Sequence, residues 1–237
     1  MAQRCVAMPI SVDYMCASAE RTLHRSIERL AGPVKLSSLD AGMIGIRNIR
    51  FPLPIRVDVE TGACEVSMRG FTRTVRCGES RLIPALEEVS LTLLRQARVT
   101  LTILPESGRG QDRGAFNLSV DDLRERKPAT AGISLAVFAS PQLDWGLSSA
   151  AACLGKLDGR WLSRKLLQEC SSLRQLVRAQ RLSRFVFDIL SSAAKSSAVS
   201  YGFSDRCRLE NAVYDQFGIS VAALSRLSSA RRRMKDG

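Results

Sequence analysis

Apolar and polar side chains alternate along residues 34–104, the period-two signature of strands that bury one face. Ile55, Val57 and Val59 form one run, and Cys64, Val66 and Met68 the next. Val89, Leu91 and Leu93, then Val99, Leu101 and Ile103, form two more. Turn residues such as Thr61-Gly62 and Cys77-Gly78 separate the runs, which predicts short antiparallel strands in a barrel or sandwich. Ahead of them Leu23, Ile27 and Leu30 recur at helical spacing and predict a leading helix over 18–30. The alternation lapses over 105–128. There the run ESGRGQDRG and a charged stretch ending at Pro128 read as a linker, broken only by one amphipathic turn at 120–123. Beyond Leu143 apolar residues return every three or four positions: Leu162 and Leu166; Leu173, Leu176 and Val177; Leu182, Phe185, Val186 and Ile189. Such spacing marks the buried stripes of short helices. The chain is expected to be α+β, with a β-rich domain over 1–104, a linker over 105–143 and an all-helical domain over 144–237.

Charge sharpens this division. The 237-residue chain has a formal net charge of +12, but residues 145–237 hold 16 Lys and Arg against 7 Asp and Glu, and the rest holds 19 against 16. A nearly neutral half joined to a basic one is the electrostatic footprint of nucleic-acid binding. The seven cysteines are scattered, with no C-x-x-C pair, and read as reduced thiols of a cytoplasmic protein. No stretch reaches the roughly 20 apolar residues of a membrane helix, so no membrane partner is expected. His24 is the only histidine and reads as an ordinary surface residue. A histidine-rich metal site needs several such ligands, and nucleophilic catalysis would have one imidazole to draw on. With no G-x-S-x-G and no phosphate loop either, no enzymatic activity, cofactor or metal is expected.

Two helical segments have the spacing for DNA contact. In 147–169, LSSAAACLGKLDGRWLSRKLLQE, an Ala-rich helix can end at Gly155, turn through Leu157 and resume at Asp158, whose side chain suits a helix N-terminus. Ala151 and Ala152 let the two helices approach, and Leu157, Leu162 and Leu166 face the core. Arg160, Trp161, Arg164 and Lys165 are left on the outward side, with Trp161 partly buried. In 197–220, SAVSYGFSDRCRLENAVYDQFGIS, Gly202 supplies the turn, Phe203 plugs the core, and Ser204-Asp205 caps a helix running to Phe217. Leu209 and Val213 form its inner face. Ser204, Arg206, Cys207, Arg208 and Asn211 are then directed toward DNA, and the helix N-terminus favours phosphate. Arg181 reads as an internal salt-bridge partner, and the basic run Arg231-Arg232-Arg233 with Lys235 as a tail either solvated or in reach of phosphate.

The stretch GFSDRCRLENAVYDQFGIS resembles the closing motif of AraC/XylS transcriptional regulators. In that motif Gly-Phe-Ser, an aromatic or apolar residue six beyond the Phe, and a Phe-Gly-(Ile/Val)-Ser ending recur. WLSRKLLQE followed by LRQLVRAQRLSR resembles the same family's first recognition helix and the long helix joining its two halves. Together the likeness spans about 145–227. Asn211 stands where Arg is common, Val221 where Pro is usual, and Leu209 where Phe is common, and the segment 189–201 is about two residues short. More weakly, GESRLIPALEEVSL resembles a segment of the family's cupin-like regulatory β-barrel. The resemblance implies a cupin-like barrel followed by a double helix-turn-helix. Each recognition helix would enter a major groove of double-stranded DNA about one helical turn, ~34 Å, from the other. It further implies a bacterial promoter-proximal regulator, an activator more often than a repressor, that contacts RNA polymerase. A small-molecule effector or protein partner would act on the N-terminal domain, and some family members form homodimers. The alternative is a protein-binding or effector-binding regulator with weak, non-specific DNA affinity.

Overall fold

The alternating stretch folds into eight strands: β1 Val34–Ser37, β2 Ile44–Ile49, β3 Ile55–Thr61, β4 Ala63–Met68, β5 Phe71–Arg76, β6 Ser80–Ile83, β7 Val89–Leu93 and β8 Arg98–Ile103. The computed structural model describes residues 33–38, 42–104, 127–156, 158–191, 193–194 and 197–229. The leading helix expected at 18–30, the turn at 120–123, Leu157 and the basic run 231–235 lie outside them. β1 pairs antiparallel with β8, β2 with β7, β3 with β6 and β4 with β5, as though one long hairpin had been rolled into two layers. Further pairings of β3 with β8 and β4 with β7 complete two four-stranded sheets, in the orders β1-β8-β3-β6 and β2-β7-β4-β5. This is the order of a double-sheet jelly roll. No ladder joins the two sheets among the described residues, so the layers meet face to face and the expected barrel is not closed by hydrogen bonds. The alternating residues named above fill the space between the layers, at 0–3% exposure except for Met68, which is partly buried.

The described residues after the strands form the helices α1 Pro128–Ala139, α2 Leu147–Cys153, α3 Gly159–Gln168, α4 Leu173–Leu190, α5 Arg206–Phe217 and α6 Val221–Ser229, with a 3-10 turn at Ala198–Tyr201 before α5. Helix α1 corrects the expected linker over 105–143. Pro128 opens it, where a missing N–H costs nothing, and Ile133 and Val137 are fully buried. Its apolar and small residues lie on every side, so it shows no helical stripe in sequence. The residue that anchors its start comes from elsewhere. Glu169, 4% exposed, accepts hydrogen bonds from the Ala129 N–H (3.2 Å) and the Thr130 N–H (2.7 Å) of the first turn, where a carboxylate also opposes the helix dipole favourably.

The buried apolar residues form two clusters. The smaller joins α1, α2, α3 and the first half of α4 through Ile133, Ala150, Leu162, Leu166 and Leu176. The larger runs without a break from the jelly roll into the second half of α4, α5 and α6. Phe51 of the β2–β3 connection, Phe138 of α1 and Phe187 of α4 meet edge to face with centroids 6.1–6.2 Å apart, the favoured geometry of aromatic quadrupoles. A bulge in β2 carries Asn48 at φ 53° and re-aims its side chain, as bulges do. Asn48 Nδ2 then donates to the Gln216 carbonyl in the last turn of α5, at 3.2 Å. The second half of the helical region is therefore built onto the sheet.

Candidate nucleic-acid interface

Helix α3 is the outer member of the first helical pair. Asp158 accepts from the Arg160 N–H at 2.8 Å and caps it, and Leu162 and Leu166 are buried at 0% and 2%. Arg160 and Arg164 are exposed, and Trp161 and Lys165 are half-buried. Trp161 packs against the smaller cluster with the Lys156 ammonium 5.6 Å from its ring centre. Among the described residues, Arg160, Arg164 and Lys165 form no ion pair. One detail of the expected packing shifts by a residue. Ala150 and Ala151 are fully buried and Ala152 is exposed, because α2 begins at Leu147 and presents that face to α3.

Helix α5 is the corresponding element of the second pair, and its predecessor differs from expectation. Among the described residues between α4 and α5, the four-residue 3-10 turn is the only helical element. Gly202 follows at φ +73°, and its left-handed conformation passes the chain to Asp205. Asp205 accepts from the Arg208 N–H at 2.8 Å and from the Ser204 hydroxyl at 2.9 Å. Those two bonds, the backbone one foremost, hold its carboxyl below the usual aspartate range. Leu209 and Val213 face inward as expected, at 2% and 0% exposure. The core plug does not. Tyr201 is 1% exposed, while Phe203 is only partly buried at the edge of the larger cluster. The tighter 3-10 turn rotates Tyr201 inward, where its hydroxyl donates to Asp188 Oδ2 at 2.9 Å and its ring meets Phe185.

Ser204, Arg206, Cys207, Arg208 and Asn211 are all exposed, Ser204 in the turn before α5 and the other four on α5 itself, but in engaged form. Arg206 Nε lies 2.7 Å from Glu210 Oε1 and Arg208 Nε 3.4 Å from Asp205 Oδ2. Asn211 Nδ2 donates weakly to Cys207 Sγ at 3.6 Å. The Phe-Gly-Ile-Ser ending has a plain physical basis: Phe217 and Ile219 enter the core, Gly218 at φ +66° ends α5, and the Ser220 hydroxyl accepts from the Ala223 N–H to begin α6.

Arg181 is internal, as expected, but its partners are carbonyl oxygens rather than a carboxylate. It donates to Pro141 (2.9 Å), Leu143 (2.8 Å) and Gly202 (3.3 Å), tying the loop before α2 to the turn before α5. Burial lowers its pKa, opposed by the charge of Asp144. Two further arginines of α4, Arg174 and Arg178, are exposed beside it. They escaped the sequence reading although their four-residue spacing on a helix was visible there. Among the described residues no helix is long and apolar enough to cross a membrane, and no group of three or more His, Cys, Asp or Glu side chains could hold a metal ion.

No family model matches the sequence, and no curated protein matches it. Solved structures do. ToxT from Vibrio cholerae O395 shares the fold with a TM-score of 0.59 at 12% identity, over 84% of this chain and 98% of that one. Unsaturated fatty acid bound wild-type ToxT from Vibrio cholerae strain SCE256 gives 0.57 at 12% identity, over 84% and 95%. ToxT from Vibrio cholerae O395 bound to (E)-4-(8-methylnaphthalen-1-yl)but-3-enoic acid gives 0.55 at 11% identity, over 81% and 98%. ToxT is a regulator of the AraC/XylS family, the family whose motifs the sequence resembles. What is shared at this identity is the fold, an N-terminal β domain followed by a helical domain.

Proposed function

We propose that this chain is a DNA-binding transcriptional regulator of the AraC/XylS type, with α2–α3 and the turn–α5 pair acting as two helix-turn-helix units on one joining helix. The observation that carries this reading is a repeated arrangement. Two helices, each capped by an aspartate and buried along a Leu or Leu/Val stripe, turn arginine-bearing outer faces to solvent from a shared scaffold. Helices α3 and α5 enter successive major grooves of double-stranded DNA, with arginine suited to guanine and Asn211 to adenine. The first unit holds most of the affinity, since Arg160, Arg164 and Lys165 form no ion pair among the described residues. The DNA-binding domain opens at Pro128, and the jelly roll before it is the cupin-like regulatory domain.

ToxT is described with an unsaturated fatty acid and with an arylbutenoic acid bound. By analogy, a small organic acid is the effector class we assign to the regulatory domain, with a protein partner as the alternative input. Homodimerisation, promoter activation and contact with RNA polymerase in a bacterial cytoplasm complete the reading by family analogy. Footprinting with the full chain on genomic promoter fragments tests it. The expected result is two protected major-groove segments on one face, about one helical turn (~34 Å) apart. A single protected segment, or uniform protection of every fragment, would overturn it.

One set of contacts favours a second reading. With Arg206 and Arg208 each paired to a carboxylate of their own helix, α5 reads bases poorly, and the protein acts chiefly through a protein partner or effector, with weak, non-specific DNA affinity. Uniform weak protection is the outcome that belongs to it.

A further inference from the structure

Between the two pairs, α4 carries a groove of about 480 Å³ with Arg174 and Arg178, one turn apart, on its lining. Trp145, Leu147, Leu173, Val177 and Phe203 form its apolar part. Two of these fix its position. Leu147 lies against Gly159, the first residue of α3, and Phe203 stands two residues before the cap of α5. The groove therefore lies between the N-termini of the two outer helices.

The charge here is one-sided. Arg178 and Arg174 are exposed and form no ion pair among the described residues. No carboxylate lines the groove, and the third arginine, Arg181, is committed to three carbonyl oxygens. Like charges one turn apart oppose helix formation, a cost that an anion lying between the two arginines would offset. When a protein reaches two successive major grooves from one face, the DNA between them presents its minor groove and the two phosphate strands that border it. That stretch would face the exposed side of α4.

We propose that Arg174 and Arg178 form a clamp on the phosphodiester backbone between the two recognition helices. The proposal rests on the DNA-binding reading above and adds a third contact to it. Guanidinium groups suit phosphate because their N–H pairs match its oxygens. Such contacts fix register and supply affinity through counterion release, without reading sequence.

The test is fluorescence anisotropy with the full chain, a footprinted site and a set of base-substituted sites, over a salt series. Removing both arginines in R174A/R178A should lower the slope of log K against log[salt] by about 2, roughly 0.9 per phosphate contact. The order of preference among sites and the melting curve should stay as in the parent. R174K/R178K should keep most of the slope, since charge is retained, and Arg73→Ala, an exposed arginine of β5, should change nothing. A parent-like slope in R174A/R178A overturns the clamp while leaving the DNA-binding reading in place, provided the parent discriminates among sites. A preference altered at one base pair also overturns it, because the arginine would then be reading a base. A parent that binds all sites equally overturns the DNA-binding reading and the clamp with it.

Discussion

Gly202 links the halves of the helical region through a single conformation. Its φ of +73° is costly for any side chain, and a Cβ there would strike the Arg181 guanidinium, whose three hydrogen bonds join the loop before α2 to the turn before α5. Gly202→Ala should therefore lose about 2–4 kcal/mol, the left-handed penalty plus disturbed hydrogen bonds to a charged group. Denaturant unfolding reads this directly, and an unchanged midpoint would contradict the role given to Arg181. The turn itself was legible, since glycine before a capping Ser-Asp pair has few other uses. The exchange of Phe203 for Tyr201 as the plug was not, because four residues of 3-10 and of α-helix differ in phase without differing in composition. Glu169 was equally hidden: a carboxylate that caps a helix 40 residues earlier in the chain leaves no local signal.

The outer helices differ more in electrostatics than in architecture. Glu210 stands 2.7 Å from Arg206 on α5, while the cations of α3 form no ion pair among the described residues. Glu210→Gln should strengthen DNA binding by up to about 1 kcal/mol, the scale of an exposed ion pair, with the gain shrinking at high salt. Equal affinity in parent and variant would show that α5 does not approach the DNA. Strands β3, β4, β7 and β8 and the outer helices could be read from sequence because each buries one face and so carries a period. Helix α1 could not, since it is buried on nearly all sides between the smaller cluster and Phe51. Glycine at the end of α5 and serine at the start of α6 were visible as a family motif before their capping roles were. Val221 occupies the first helical position after that serine, where proline is well accommodated.

Across the whole molecule, hydrophobic continuity does not follow the expected division at 104 and 144. Phe187 and Leu190 of α4, Phe217 of α5 and Leu224 of α6 belong to the same cluster as the jelly roll. A fragment spanning 128–237 would expose that surface to water. It should melt without a sharp transition while the full chain unfolds cooperatively, as calorimetry of the two would show; a sharp transition in the fragment would contradict a shared core. Because β2 grips the last turn of α5 through Asn48, a ligand or partner on the sheet would act first on α5. The fold class was legible from the change of period along the chain, and the basic half from charge, but the seam between them was not, since apolar residues do not announce which layer they will meet. The most direct test of the central claim is the affinity of the full chain for its footprinted promoter site against scrambled DNA, measured as salt is raised. DNA-binding regulation predicts tighter binding to the site by at least about a thousandfold, with affinity falling steeply as salt rises. Equal, weak binding to both sequences at every salt concentration would contradict it.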